Sequence, residues 1–480
     1  MSLFTPGRRW QPPFYPFKKE KFTLRLLEGV ERIVKGPLFG CRMCGNCLLQ
    51  ETAFICPMEC PKGLRNGPCG GSTPEYCYVD KTRPCIWYAI FDRSFKMKRE
   101  EKLMEVLPPL DWDKAGTETW GDVVRQVRKV GTGRFLKSLV SRDKVKRHEI
   151  WESVFRPVRQ PEWWNGDSEY HPPAYSEPAS ELERRLKNGE FVFTVEIVPP
   201  LGASASPIRK SVEMVKPYAA AVNFTDNPSA TPRMAGMTCC KVASDMGVDS
   251  VLQITARDHN RYSLQSKVLG AAELGIKNIL CITGDNPAIG PGPRGSMEIF
   301  DLDSIQMLWI LRKMRDEGKY LDGRVIKNKP SFFLGAAASP FASKPEFQAI
   351  REHKKINAGA QFLQTNLVFD ATGVEKWLEQ LYKRNILDKV YILVGIAVLK
   401  SLNMTLHLKK EIPGVVVPDE ILKRIEKAGE SAPEEGILIA LELIEKISKL
   451  QGVNGIHLTT MGNEQIVERI VKESCINDRK

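Results

Sequence analysis

Eight of the twelve cysteines of this 480-residue chain lie between residues 41 and 85. Clustered thiols in a reducing compartment are typical metal ligands rather than disulfide partners. The run Cys41-x2-Cys44-x2-Cys47 and the distal pair Cys60-Pro61 are typical of an iron–sulfur site, whereas structural zinc favours paired Cys-x2-Cys elements with a longer spacer. The sequence therefore favours a [4Fe–4S] cluster, with zinc as the alternative and disulfides third. The candidate ligands are Cys41, Cys44, Cys47, Cys56, Cys60, Cys69, Cys77 and Cys85. These eight thiols could bind one cluster and leave some thiols spare, or bind two clusters and leave none.

Two carboxylates far from the cysteines are candidates for acid–base and electrostatic chemistry. Glu196 lies in the apolar run FVFTVEIV, where strand alternation places it on the same face as Thr194. An interior carboxyl beside apolar side chains suits a general acid. Asp285 follows Gly284, and a glycine there allows the backbone to approach a flat ligand closely. The sequence assigns no catalytic role to His259 or His457.

A regular alternation of elements must position these carboxylates. Eight short apolar or β-branched runs alternate with helical patterns over about 300 residues, which predicts a (β/α)8 TIM barrel with its site at the carboxyl ends of the strands. An open doubly wound sheet is the alternative, but no GxGxxG follows the first strand. The predicted strands are 191–198, 220–225, 250–255, 278–283, 331–338, 361–366, 390–396 and 454–459.

Composition divides the chain into three predicted regions. Residues 1–95 form a small cysteine-rich metal-binding domain with too few apolar residues for a large core, so a metal would have to stabilise it. Residues 96–180 form a basic helical region that ends in a proline-rich linker. Residues 181–480 form the barrel.

Charge is concentrated in the cysteine-rich half. Residues 1–150 contain 28 Lys and Arg against 17 Asp and Glu, whereas the other 330 residues contain 42 against 41. A basic face there would attract an acidic partner such as a small electron carrier, and a solvated surface without a partner is the alternative. Finger spacing and interleaved aromatics are lacking, so nucleic acid is not expected.

Targeting and membrane signals are weak. The longest clean apolar run, Tyr391–Leu399, is too short to span a bilayer. The first residues carry basic and aromatic side chains without a continuous apolar core, so we predict no signal peptide and a cytoplasmic location.

Six segments of the barrel region together resemble methylenetetrahydrofolate reductases across residues 190–460. They are FTVEIVPP, VNFTDNP, QITARDHNRYSLQSKVLGAAELGIKNILCITGDNP, FFLGAAASP, KKINAGAQFLQTNLVFD and VGIAVLKSL. The resemblance implies a flavin-dependent barrel, with FAD or FMN, that reduces 5,10-methylenetetrahydrofolate to 5-methyltetrahydrofolate, or runs in reverse. This chain departs from the usual family pattern at Gln253, where histidine is common, at Asn366, where glutamine is common, and at Val398, where proline is usual.

The resemblance also implies roles for individual residues. Glu196 matches the general acid that opens the five-membered folate ring, and Asp285 matches the aspartate whose charge stabilises the resulting cation and tunes the flavin. These two and Asn366 would contact the folate. The flavin would be bound by Thr225, Gln253, Thr255, Gly284, Ala337, Ser339, Lys354 and Lys355, with the lysine pair reaching phosphate.

Residues 38–95 resemble the small cysteine-rich partner of acetogen-type methylenetetrahydrofolate reductases. A cluster there would pass electrons to the flavin from an acidic ferredoxin or a larger oxidoreductase complex. With zinc in its place, NAD(P)H would reduce the flavin directly. The alternative function is a folate-binding or methyl-transfer component without redox activity, and a homo-oligomer stays open.

Overall fold

The computed structural model describes residues 22–287, 290, 296, 298–474 and 476. The first 21 residues, on which the prediction about a signal peptide depends, lie outside these ranges. The described residues form two compact units, one within residues 1–68 and 74–167 and the other within residues 69–73 and 168–480. The boundaries predicted near 95 and 180 stay predictions.

The first unit combines helices with long irregular segments. A small cluster of buried side chains, Cys44, Leu49, Cys56, Met58 and Leu110, lies among these segments, so two candidate metal ligands are also part of the apolar core. The helices of this unit are α1 (Phe22–Phe39), α2 (Ile86–Lys96), α3 (Trp120–Val130), α4 (Thr132–Leu139) and α5 (Lys144–Arg159).

The second unit confirms the predicted (β/α)8 barrel. Within the described residues, eight parallel strands close in the order β1 to β8, with β8 pairing to β1. Val, Ile, Leu and Phe dominate these strands, as expected for a parallel sheet that is covered on both faces. The strands are β1 (Val192–Ile197), β2 (Ala221–Phe224), β3 (Ser250–Thr255), β4 (Asn278–Ile282), β5 (Phe333–Ala338), β6 (Phe362–Leu367), β7 (Tyr391–Ala397) and β8 (Gly455–Thr459).

Helices follow the strands in the pattern that the sequence predicts. α6 precedes β1, α7 to α12 connect β1 to β7, α13, α14 and α15 separate β7 from β8, and α16 follows β8. They are α6 (Glu181–Lys187), α7 (Ser206–Val215), α8 (Gly236–Asp245), α9 (Arg261–Glu273), α10 (Ser304–Asp316), α11 (Pro345–Ala358), α12 (Ala371–Lys383), α13 (Leu402–Glu411), α14 (Asp419–Ala428), α15 (Ala432–Ile447) and α16 (Ile466–Glu473).

The apolar core of the barrel lies at its amino end, so the carboxyl end is available for a functional site. Leu182 and Leu186 of α6 pack against Val192, Phe333 and Phe362, which begin their strands. The amino end of the barrel is therefore filled with apolar side chains. No helix in the described part of the chain is long and apolar enough to cross a membrane.

Candidate active site and cysteine cavity

Glu196 contacts a histidine from the neighbouring strand. Thr194 and Glu196 of β1 lie beside β8, whose His457 is 2 % exposed. The Nδ1 atom of His457 lies 3.0 Å from Thr194 Oγ1, and its Nε2 atom lies 3.6 Å from Glu196 Oε2. That Nε2 atom is buried and makes no hydrogen bond within the described residues. Thr194 thus orients an imidazole whose other nitrogen is directed at the predicted acid.

A network of ion pairs and hydrogen bonds joins the ends of β2 and β3. Asp226 Oδ2 accepts hydrogen bonds from Thr255 N at 2.9 Å and from Thr255 Oγ1 at 3.1 Å. Arg257 donates to both carboxylate oxygens of Asp258, each at 2.7 Å. Burial alone would raise the pKa of Asp258, but the hydrogen bond and charge of Arg257 hold it below its usual value.

The same network reaches Asp285. Arg257 Nη1 donates to the Asp285 carbonyl at 3.3 Å, and Asp285 Oδ2 accepts from Ser229 N at 3.2 Å. Gly284 has φ +86°, and a Cβ there would lie 3.1 Å from the Cβ atoms of Thr255 and Arg257. The predicted glycine is therefore required both by its backbone conformation and by the close approach of β3.

Backbone strain marks the loop after β2. Asn227, Ser229 and Ala230 all have positive φ, at 46°, 51° and 53°. Left-handed conformations cost non-glycine residues of order 1 kcal/mol or more, and they concentrate at functional loops. Because Ser229 donates its amide to Asp285, this strained loop helps to hold the predicted catalytic aspartate.

Three amide side chains cross the barrel interior below these carboxylates. Gln253 Nε2 donates to Asn223 Oδ1 at 3.0 Å, and Asn223 Nδ2 donates to Gln364 Oε1 at 2.7 Å. All three are less than 10 % exposed. Gln253, which replaces the histidine common in the resembling family, is thus held by Asn223, which in turn donates to Gln364.

The other predicted flavin residues lie along β2, β5 and α11. Thr225 follows β2, and its Oγ1 atom is buried without a hydrogen-bond partner in the described residues. Lys355 is 2 % exposed, donates to the Ala337 carbonyl and lies 3.1 Å from Glu352. Burial and the charge of Arg351 lower the pKa of Lys355 to about 8. Lys354 is also buried.

Ser339 and Asn366 lie near the carboxyl ends of β5 and β6. Ser339 is buried, and Asn366 Nδ2 donates to the Pro413 carbonyl at 3.0 Å. The Oδ1 atom of Asn366 accepts from Leu367 N at 2.8 Å. The predicted folate-binding amide is therefore oriented by the loop between α13 and α14.

Four of the eight predicted metal ligands surround one cavity in the first unit. Cys41, Cys44, Cys47 and Cys56 line a cavity of about 20 Å³. As free thiols these side chains are not in ligand geometry, since no group of three or more Cys, His, Asp or Glu in the described residues is arranged to hold a metal. Burial raises the pKa of Cys41 to about 11 and that of Cys56 well above its ordinary value.

The other four predicted ligands do not line this cavity. Cys60 follows the short turn of residues 57–59, and Cys85 is the N-cap residue of α2. Cys77 is buried but does not line the cavity. Cys69 belongs to the second unit. Their assignment as ligands stays a prediction. Both Cys56 and Cys60 precede a proline, so the sequence signal for a distal ligand applies equally to either.

Two buried cations accompany the four thiols. Lys35 Nζ lies 3.7 Å from Cys47 Sγ and pairs with Glu31 at 2.6 Å. Arg65 is 2 % exposed and donates to the Asn46 carbonyl at 3.1 Å, without a carboxylate partner among the described residues. A buried guanidinium requires a nearby negative charge. Four thiolates bound to a metal would supply it, so the chemistry of the four donors and their cations suits a cluster or a zinc ion, although the free thiols are not in ligand geometry.

Sequence reasoning assigned no role to His457, Arg257 or Arg65. His457 was identifiable as a polar residue on a predicted strand, but only the pairing of β8 with β1 places it beside Glu196. Arg257 lies two residues after the end of β3, in a basic-acidic pair with Asp258, which was a usable signal. No sequence signal pointed to Arg65, because its burial depends on tertiary packing.

Similarity to known proteins extends over both units. The chain is similar to a probable methylenetetrahydrofolate reductase (NADPH) of Caenorhabditis elegans, with 23% identity over 320 residues that cover 63% of this chain and 45% of that protein. It is 22% identical over 311 residues to methylenetetrahydrofolate reductase 2 of Schizosaccharomyces pombe, covering 61% and 47%. The chain thus spans less than half the length of these curated relatives.

One solved structure among the similar ones is a protein from Clostridium thermocellum described as binding two copies of 5-methyl-5,6,7,8-tetrahydrofolic acid. It is 14% identical, and the match covers 62% of this chain and all of that one with a TM-score of 0.43.

Two family models match the chain. The model described as methylene-tetrahydrofolate reductase C terminal matches residues 23–113, which include all eight clustered cysteines. The model described as methylenetetrahydrofolate reductase matches residues 181–475, which is more than half of the chain and includes the whole barrel. The protein belongs to the methylenetetrahydrofolate reductase family.

Proposed function

We propose that this protein is a flavin-dependent methylenetetrahydrofolate reductase that converts 5,10-methylenetetrahydrofolate to 5-methyltetrahydrofolate. The observation that carries the proposal is the placement of Glu196, beside His457, at the carboxyl end of β1 in a barrel of this family. A carboxyl that is 21 % exposed at the side chain is accessible to substrate, while the histidine behind it is not exposed to solvent. This arrangement suits a general acid.

Glu196 protonates the folate so that its five-membered ring opens to a cation. His457 acts as a positioning residue, since Thr194 fixes one ring nitrogen and the other faces the Glu196 carboxyl. Asp285 supplies a fixed negative charge close to where the positive charge develops. The amide of Ser229 and the guanidinium of Arg257 hold this aspartate, so its charge is in place before the reaction.

The polar groups at the ends of β2 to β5 fit a flavin. Thr225 Oγ1 is a buried hydroxyl without a partner in the described residues, and an unpartnered buried hydroxyl is costly unless a ligand bonds to it. Gln253 would contact the flavin from an orientation that Asn223 fixes, and Lys355 lies beside the Ala337 carbonyl. Bound flavin supplies the hydride of the reaction.

The four cysteines of the cavity are the proposed cluster ligands. Cys41, Cys44, Cys47 and Cys56 form the pattern Cys-x2-Cys-x2-Cys-x8-Cys-Pro, which resembles a cubane-binding run more closely than a zinc finger. We propose that they hold a [4Fe–4S] cluster, which receives electrons from an acidic carrier and passes them towards the flavin. Zinc at the same four thiols would make the unit structural, with NAD(P)H as the reductant.

An absorption spectrum of anaerobically purified protein, with iron, zinc and released flavin measured on the same sample, tests these proposals. We expect flavin bands over a broad shoulder that dithionite bleaches, together with about four iron atoms per chain. Flavin with zinc and no iron would overturn the cluster and retain the reductase. Absence of flavin and iron after gentle purification would favour a folate-binding barrel without redox activity.

A further inference from the structure

Five residues from the middle of the cysteine-rich sequence belong to the barrel unit. Cys69–Thr73 groups with residues 168–480, although the sequence on both sides of it belongs to the first unit. The segment forms a tight turn, in which Ser72 N donates to the Cys69 carbonyl at 3.4 Å and Cys69 Sγ lies 3.3 Å from Ser72 Oγ. Gly70 and Gly71 occupy the centre of this Cys69–Thr73 turn.

Gly70 lies directly against Ser339. A Cβ atom on Gly70 would be 2.7 Å from Ser339 Oγ, closer than two such atoms approach in proteins. Gly70 does not have a positive φ, so its backbone conformation does not require glycine. The missing side chain therefore serves the close approach to the residue that follows β5.

The other side of the turn faces the loop between α13 and α14. A Cβ atom on Gly414 would lie 2.9 Å from the Gly70 carbonyl oxygen and 3.5 Å from Asn366 Nδ2. Asn366 Nδ2 donates to the Pro413 carbonyl at 3.0 Å. One glycine turn is thus in contact with Ser339 and with the loop that orients Asn366.

We propose that the Cys69–Thr73 turn is a positioning element of the barrel's cofactor and substrate site. The turn fixes the Ser339 hydroxyl on one side and the Pro413–Gly414 backbone, and through it the Asn366 amide, on the other. The inference rests on the proposed function together with the family resemblance, which implies that Ser339 contacts flavin and Asn366 contacts folate. It adds a requirement that the barrel alone does not contain: part of the site is supplied by sequence that precedes the barrel by about 100 residues.

The test compares Gly70→Ala with Gly270→Ala in the full chain. Gly270 lies in α9 of the same unit, and a Cβ there meets nothing within 4 Å, which makes it a matched control. We expect Gly70→Ala to weaken FAD or FMN binding to the deflavinated protein about tenfold, measured by flavin fluorescence, and to raise the KM for the folate. Gly270→Ala should bind flavin like the wild type.

A second variant separates a lost contact from misfolding. Ser339→Ala removes the Oγ atom that a Cβ on Gly70 would strike, so the Gly70→Ala effect on flavin binding should shrink to less than about threefold in the Ser339→Ala background. Equal effects in both backgrounds, or wild-type flavin binding by Gly70→Ala, would overturn the inference while leaving the reductase proposal intact. A wild-type chain that binds neither FAD nor FMN would overturn the proposed function and the inference with it.

Discussion

In the barrel, Glu196, Gln253 and Thr255 lie on strands whose backbone hydrogen bonds fix them, while Cys41, Cys44, Cys47 and Cys56 lie on irregular backbone. Residues next to these cysteines adopt left-handed conformations, including Met43 at φ 51°. The barrel therefore positions its site before any ligand binds. The cysteine segment has no comparable scaffold, so we expect its geometry to depend on whether the thiols bind a metal.

The cores of the two units differ in the same way. The barrel core at the amino end consists of apolar side chains and shares none of them with the candidate site. In the first unit, Cys44 and Cys56 belong to the buried cluster and also line the cavity. Substitution of a site residue in the barrel should therefore reduce activity and leave the fold intact. Substitution of a cavity cysteine in the first unit should instead destabilise the fold of that unit.

The largest expected effect on turnover leaves the fold unchanged. Glu196→Gln removes the proposed proton donor but keeps the shape of the side chain, so we expect kcat to fall about 10³-fold. Flavin content, metal content and thermal stability should stay at wild-type values. Glu190→Gln, which changes a surface glutamate paired with Arg185, is the control. Wild-type turnover by Glu196→Gln would exclude the acid role.

A ligand substitution in the cavity should have the opposite signature. Cys56→Ser should abolish metal binding and remove much of the ~10 kcal/mol that a structural metal contributes to folding in small metal domains. Hydrogen exchange should rise over residues 41–60 and stay low in the strands. Cys240→Ser, at a fully buried thiol on α8, should keep its metal. Retained metal and protection in Cys56→Ser would contradict the comparison.

His457 tests how far preorganisation by strands matters within the barrel. Replacement by Asn removes the ring that faces Glu196 and can retain the contact to Thr194, so we expect kcat to fall about 10- to 100-fold with little change in KM. The pH–rate profile should move as well, which a purely structural defect would not produce. The exposed His407→Asn on α13 is the control. An unchanged pH–rate profile would mean that His457 contributes only to packing.

The barrel was predictable because its strands are recognisable in the sequence as short apolar runs. β3 begins and ends where the sequence predicts, and the other strands differ from their predicted bounds by one or two residues at one end or at both. Glu196, Thr255 and Asp285 follow from strand ends, since the fold brings those ends together. His457 and the amide chain through Asn223 do not, because cross-barrel neighbours depend on register and side-chain reach.

The cysteine region was less predictable for a physical reason. Spacing predicts that the thiols are ligands, but it does not indicate which of the two Cys-Pro pairs would complete a site. The structure places Cys56 rather than Cys60 at the cavity. Nor does composition indicate that Cys69–Thr73 belongs with the barrel. Irregular backbone has no periodicity from which such contacts can be inferred.

The smallest expected effect concerns the acid stability of the barrel shell, away from both sites. Burial, together with the charges of Arg384 and Lys389, lowers the pKa of His353 on α11 to about 4. Arg384 Nε donates to His353 Nδ1 at 3.3 Å, which requires the neutral ring. Between pH 6.5 and 4 the unfolded chain therefore binds more protons at this group than the folded chain, so stability falls as the pH falls through that window.

Because the ring is only partly buried, solvent screening reduces the effect to about 1 kcal/mol. His353→Asn should accordingly narrow the difference between urea midpoints measured at pH 7 and pH 5, while His407→Asn leaves that difference unchanged. The loss should appear in hydrogen exchange of α11 and not at residues 41–56. An equal loss of protection at the cysteine cavity would mean that the two units do not respond to acid independently, and it would remove the contrast between a scaffolded site and one that its ligand holds together.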